Sequence, residues 1–227
     1  HVNPLSRFFR LPFEIPAPNE LFQNAELPIH LDIGSARGKF LLAMAKSHPD
    51  QNYLGLEIRK PLVVKADAER EQLGLGNLRF VFCNANVSLE SWLSNIPQKR
   101  LALVSIQFPD PWFKRRHRKR RVLQPSLLLS ISKALSPGGG LFIQSDILEV
   151  LTPMADLIEF SECFYCARSS RSKFLENNCF PIVTEREKFC LDKGLQVYRA
   201  FYQRNSQAIP KLVDLEKKLS EKMIIYK

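Results

Sequence analysis

Short apolar runs alternate with longer amphipathic ones along most of this chain, and that alternation restricts its fold more than any other feature. Residues 28–33, 52–57, 78–83, 101–108 and 141–145 are apolar runs of strand length, the first ending at Gly34. Between them lie stretches that read as helices: 39–47 before Pro49, 61–73 with Pro61 in its first turn, a short one holding 89–93, 125–135 and 150–160. The glycines of Ser136-Pro137-Gly138-Gly139-Gly140 close the fourth of these. Strands alternating with helices of this length predict an α/β fold, a mostly parallel sheet covered on both faces. After Phe160 the pattern loosens, with 196–202 reading as a closing strand and 211–222 as a polar amphipathic helix. Pro4, Pro12, Pro16 and Pro18 make residues 1–27 an irregular arm. The expected division is therefore an arm at 1–27, an α/β domain at 28–204 and a helical tail at 205–227.

A chain of 227 residues suffices for one such domain. No apolar run approaches the roughly 18 residues needed to cross a bilayer, so no membrane partner is expected. The excess of 33 Lys+Arg over 23 Asp+Glu gives a charge of +10 and favours a polyanionic partner, because neutralising phosphates releases counterions. Five cysteines include a Cys163-x-x-Cys166 pair, but no second close pair or spaced histidines follow, so reduced thiols and no metal are expected. The chain begins at His1 rather than Met, which reads as a trimmed start that would hide any targeting segment.

In an open parallel sheet the ligand sits beyond the carboxyl ends of the strands, so chemistry is sought there. The first strand ends in Asp32-Ile33-Gly34-Ser35-Ala36-Arg37-Gly38. Its small residues allow a tight turn and a close backbone approach, although Ala36 stands where a dinucleotide loop needs glycine. Glu57 closes the second strand, where a carboxylate can accept both hydroxyls of a ribose. Alternatively it partners the helix start at Lys60-Pro61; the loop spacing favours the ribose. The third strand ends at Cys83-Asn84-Ala85, and the Asn84 side chain can address an adenine amino edge. One polar group from each strand end suits a nucleoside better than a pyrophosphate.

The fourth strand runs into Gln107-Phe108-Pro109-Asp110-Pro111-Trp112, followed by seven Lys/Arg in the eight residues from Lys114 to Arg121. Taken alone, Asp110 reads as a turn residue or as a catalytic carboxylate, and the basic run as a solvated face or an RNA-docking element. Its place at a strand end favours docking, with Arg168, Arg171 and Lys173 extending the patch. This segment closely resembles the signature of the tRNA (guanine-N7)-methyltransferase family. Gly55-Leu56-Glu57-Ile58-Arg59, Ser145-Asp146 and Thr184-Glu185-Arg186-Glu187 match as well, so the resemblance spans roughly 28–204.

The resemblance implies a Rossmann-like class I methyltransferase fold, with a mostly parallel seven-stranded sheet and S-adenosylmethionine as cofactor. It implies tRNA as partner and N7 of the guanine at position 46, in the variable loop, as target. Gly34, Glu57, Arg59, Asn84, Ala85 and Gln107 would line the cofactor site, and Asp110 would be the catalytic carboxylate. Lys114, Asp146, Thr184, Arg186 and Glu187 would contact the guanosine. Ala36 for a glycine and Asn84 for a frequent Asp depart from the commonest bacterial pattern. Trp112 is the bacterial-type residue and Asn84-Ala85 a eukaryotic-type pair, which together suggest a bacterial cytoplasm or an organelle, chloroplast or mitochondrion. Monomer and homodimer both stay open. The rivals are a methyltransferase of the same fold with another substrate, and a non-catalytic RNA-binding subunit.

Overall fold

The computed structural model describes residues 2–112, 114–166 and 174–225, with backbone alone for 115 and 222–225. After a 3-10 turn (Arg7–Arg10) come the single-turn helix α1 (Pro18–Leu21), β1 (Ile29–Ile33), α2 (Lys39–Ser47), β2 (Asn52–Glu57), α3 (Lys60–Gln72), β3 (Leu78–Phe82), α4 (Ala85–Asn95) and β4 (Leu101–Gln107). A 3-10 helix (Arg115–Arg120) leads to α5 (Pro125–Ala134), β5 (Gly140–Ser145), α6 (Leu148–Phe160), β6 (Phe164–Cys166), α7 (Glu185–Asp192), β7 (Tyr198–Arg204) and α8 (Leu212–Ile225). The sheet has seven strands in the order β3-β2-β1-β4-β5-β7-β6. Strands β1 to β5 pair in parallel, and β7 lies antiparallel between β5 and β6. This is the Rossmann-like class I methyltransferase architecture expected from the sequence.

The strands of the parallel part are largely buried and mostly apolar because both faces are covered. On one face Leu89, Leu128, Ile131, Leu151 and Ile158 from α4, α5 and α6 close over Leu31, Leu54 and Ile106. On the other, Phe40, Leu41 and Met44 of α2 and Val63 and Ala66 of α3 pack with Tyr53, Leu78 and Phe80. Leu215 of α8 is fully buried in the first layer, which ties the C-terminal helix to the sheet. The N-terminal arm is tied down too: Ile15, Leu21 and Phe22 join that core, and the indole of Trp92 donates to the Pro16 carbonyl at 2.9 Å. Among the described residues no helix is long and apolar enough to cross a membrane.

Three elements have bounds that the sequence left open, each for a local reason. Helix α4 begins at Ala85, well before 89, because the Asn84 side chain accepts from the Asn86 N–H and caps it. Strand β6 is three residues long, too short to show a period. Helix α7 is polar along most of its length, and its start is set by Thr184, which accepts from the Glu187 N–H at 3.1 Å.

Candidate active site

Strand order reverses between β1 and β4, and a cavity of about 480 Å³ opens there beyond their carboxyl ends. All six residues expected to hold the cofactor line it: Gly34, Glu57, Arg59, Asn84, Ala85 and Gln107. Asp110 and Trp112 complete one side, and Val2 and Pro4 of the arm reach another. The volume falls within the range of about 300–1,000 Å³ usual for small-molecule sites.

The loop after β1 is shaped by residues with left-handed backbone. Gly34 sits at φ +91 with no atom within 4 Å of the position a Cβ would take, so the cavity wall is bare backbone there. Gly38, at φ +73, is a steric necessity: a Cβ would lie 2.5 Å from the Phe80 ring and 2.9 Å from the Ala66 Cβ. Ala36 adopts φ +50, a region costing an L-residue about 1–2 kcal/mol. Its N–H donates to Glu57 Oε2 at 2.9 Å, which holds the strained turn in place.

Glu57 is the organising group of this half. Its Oε2 also accepts from Arg59 Nη2 at 3.1 Å, while Oε1 accepts from the Arg59 backbone N–H and from Nε, both at 2.9 Å. Those hydrogen bonds raise the Arg59 pKa against the effect of burial, and the charges of Glu57 and Asp110 add to the rise. The Glu57 carboxylate is buried, whereas the Arg59 side chain is 48% exposed. The helix-start role considered for Glu57 is therefore present, through the Arg59 N–H, together with its place on the cavity wall. Behind it Asp32 accepts from Ser105 Oγ at 2.6 Å and Gln107 Nε2 at 3.2 Å. Burial raises its pKa to about 6, with those two hydrogen bonds opposing the rise.

Asn84 lines the cavity, but its carboxamide is engaged elsewhere. Besides capping α4, it donates to the carbonyls of Pro4 and Phe9, both at 3.1 Å. Its donors therefore hold the arm, while Oδ1 accepts one N–H from the helix and keeps a second lone pair on the cavity wall.

At the end of β4, Phe108 adopts φ +49 directly before Pro109, a conformation that costs a bulky residue about 1–3 kcal/mol. Its N–H donates to the Gln144 carbonyl at 2.8 Å, so the sheet enforces the bend. The bend presents Asp110 at the mouth of the cavity, exposed. Trp112 forms a wall, with the Arg120 guanidinium 4.9 Å above its ring and His117 edge-on at 5.4 Å. Lys114 is exposed at the start of the basic 3-10 helix, which therefore flanks the pocket. Arg168, Arg171 and Lys173, together with the Arg115 side chain, lie outside the described residues.

The residues expected to contact guanosine divide into two sets. Arg186 and Asp146 form an ion pair at 2.5 Å, next to the Thr184 cap and outside the residues that line the cavity. Glu187 does not reach the surface. Its carboxylate is fully buried, held by Arg199 at 2.7 and 3.1 Å, Asn178 at 2.6 Å and Gln144 at 3.2 Å. The expectation of direct contact is corrected because every side of the group is occupied; it fixes the turn that carries Thr184 and Arg186. Gln144, Asn178 and Arg199 are not identifiable from sequence motifs, although a glutamine within an apolar strand run is a visible signal at 144. All five cysteines are free thiols.

Comparison with known proteins gives the family and the fold. Residues 26–200 match the family model "Methyltransf_4: Putative methyltransferase". Over 216 residues the chain is 57% identical to the tRNA (guanine-N(7)-)-methyltransferase of Prochlorococcus marinus (strain MIT 9313), covering 95% of this chain and 92% of that one. It is 57% identical over 210 residues to the protein of the same name from Parasynechococcus marenigrum (strain WH8102), covering 92% and 89%. Among solved structures, the 16S rRNA methyltransferase KamB aligns with a TM-score of 0.53 at 15% identity, over 83% of this chain and 91% of that one. That likeness concerns the fold alone.

Proposed function

The chain belongs to the tRNA (guanine-N7)-methyltransferase family, and from that membership we propose which base it modifies and which residues do the work. It is an enzyme that methylates N7 of guanine in tRNA, with S-adenosylmethionine as methyl donor. The base is proposed to be guanine 46 of the variable loop. The observation that carries the site assignment is Asp110, set by the strained Phe108-Pro109 bend at the mouth of a nucleoside-sized cavity and flanked by the basic 3-10 helix.

The cavity residues fit an adenosine-type cofactor. Gly34 leaves room where a side chain would intrude. Both oxygens of Glu57 can accept ribose hydroxyls in place of the Arg59 guanidinium, whose bonds are exchangeable because that side chain is half-exposed. Arg59 would then hold the carboxylate of the methionine portion. Ala85 and Gln107 wall the base and the reacting end, while Asn84 supports the adenine side through the arm and helix it joins. When bound, the cofactor supplies an electrophilic methyl group on a sulfonium.

Guanine N7 carries an available lone pair, so the reaction needs no general base, and alignment is the main requirement. Positive charge moves onto the purine as the methyl group arrives. Asp110 stabilises that charge and accepts hydrogen bonds from guanine N1–H and the exocyclic amine, which adenine cannot offer. Lys114, Asp146, Thr184 and Arg186 hold the guanosine, with Glu187 fixing their turn from inside. The basic 3-10 helix neutralises tRNA phosphates. The cyanobacterial source of the relatives favours a compartment of that descent, a bacterial cytoplasm or a chloroplast.

The test is incubation of the protein with radiolabelled S-adenosylmethionine and unmodified tRNA, followed by nucleoside analysis and mapping of the label. Labelled 7-methylguanosine at position 46 is expected. Label on another base overturns the reaction, and 7-methylguanosine elsewhere overturns the position.

A further inference from the structure

Gln144 lies near the end of β5 and is fully buried. Its carboxamide nitrogen carries two hydrogens, and each has a different destination. It donates to Gln107 Oε1 at 2.7 Å and to Glu187 Oε2 at 3.2 Å. Its own oxygen is buried and finds no partner among the described residues. An apolar side chain of the same size would avoid that cost, so the residue is explained by its NH2 group.

The two acceptors belong to different parts of the reaction centre. Gln107 lines the cofactor cavity and donates onward to Asp32 Oδ1 at 3.2 Å. Glu187 stands three residues after the Thr184 cap, beside the Arg186–Asp146 pair, and is fixed by Arg199 from the far side. The order of donors along this chain is forced. An ionised carboxylate only accepts, so the Gln107 NH2 must face Asp32 and the Gln144 NH2 must face Glu187. That leaves Gln107 Oε1 to take the second Gln144 hydrogen. One buried amino group is thus shared between the cofactor wall and the turn at 184–187.

We propose that Gln144 is a positioning residue that couples the cofactor cavity to the guanosine-facing turn, so that filling one orders the other. The inference rests on the reading above of that turn as the substrate side. By linkage the coupling acts in both directions, and its loss weakens each ligand when the other is bound.

Gln144→Met keeps the volume and removes both hydrogen bonds. The Kd for S-adenosylhomocysteine, measured by calorimetry with saturating tRNA present, and the KM for tRNA are both expected to rise, each roughly three- to thirtyfold, with kcat falling less than KM rises. Gln144→Asn, which keeps an amide but is one methylene shorter, can reach at most one partner and is expected to move both constants in the same direction by less. If either variant, melting above the assay temperature, leaves both constants at wild-type values, the role is packing alone and the proposal is overturned. A change in KM without a change in cofactor Kd overturns it as well. Cofactor binding does not depend on which base is methylated. Failure of the wild-type protein to form 7-methylguanosine would therefore sink the functional reading separately.

Discussion

Glu57 and Glu187 are both buried carboxylates, each gripped by two guanidinium N–H groups of an arginine, yet the two pairs do opposite things. Arg59 is 48% exposed and closes Glu57 from the cavity side. Arg199 is 5% exposed and seals Glu187 inside the sheet-to-α7 contact. In the first pair a ligand hydroxyl can replace the guanidinium without opening the core. In the second nothing enters without breaking packing. An ion pair half-open at a cavity wall can exchange partners, whereas a fully buried one a layer deeper is a brace.

The sharpest way to break that comparison is to remove each arginine. Arg199→Met strands a buried charge and is expected to lower unfolding free energy by about 3–5 kcal/mol, read by urea denaturation. Arg59→Met is expected to stay within about 1 kcal/mol of wild type while weakening S-adenosylhomocysteine binding. Equal destabilisation by the two would remove the distinction. Next in size is Asp110→Ala, on the open side of the divide. Its kcat for tRNA methylation should drop about 10²–10³-fold with cofactor Kd little changed, since the group acts on developing charge. A loss confined to KM would make Asp110 a binding residue instead.

Charge removal from the basic helix tests the mouth of the open side. The triple change Arg116→Ala, Arg118→Ala and Lys119→Ala should weaken tRNA binding and flatten its salt dependence. The slope of log K against log salt should fall by about 0.7–0.9 for each phosphate that is no longer neutralised. An unchanged slope would return these residues to a merely solvated face. The smallest effect is expected at Ala36→Gly. Relief of the left-handed strain, about 1–2 kcal/mol, is offset by the added freedom of glycine in the unfolded chain, about 0.4–1 kcal/mol. Thermal melting should therefore show a small gain, and a large loss would mean that the Ala36 methyl group packs usefully.

The same divide separates what is legible in the sequence from what is not. Strand β2 and helix α2 fall where the sequence puts them, 52–57 and 39–47, because apolar period, Pro49 and the glycine loop are all local signals. The cavity half inherits that clarity, since Gly34, Glu57 and Gln107 are strand-end residues whose placement follows once the strands are known. The half around α7 does not. Glu187 reads as a surface carboxylate because α7 is short and polar, and its burial depends on Arg199, Asn178 and Gln144, distant in sequence or hidden in other elements. The second role of Asn84 is hidden in the same way: its partners Pro4 and Phe9 belong to an arm without periodicity.

What the sequence determined alone was the alternation of strand and helix, the family signature around Asp110, and the basic run beside it, because each is written in neighbouring residues. Tertiary structure decided which carboxylate opens to the cavity and which is sealed. It also decided that Phe108 bends through a left-handed conformation and that one glutamine joins the two halves. Those outcomes depend on burial and hydrogen bonding between distant segments, and both are properties of the packed chain.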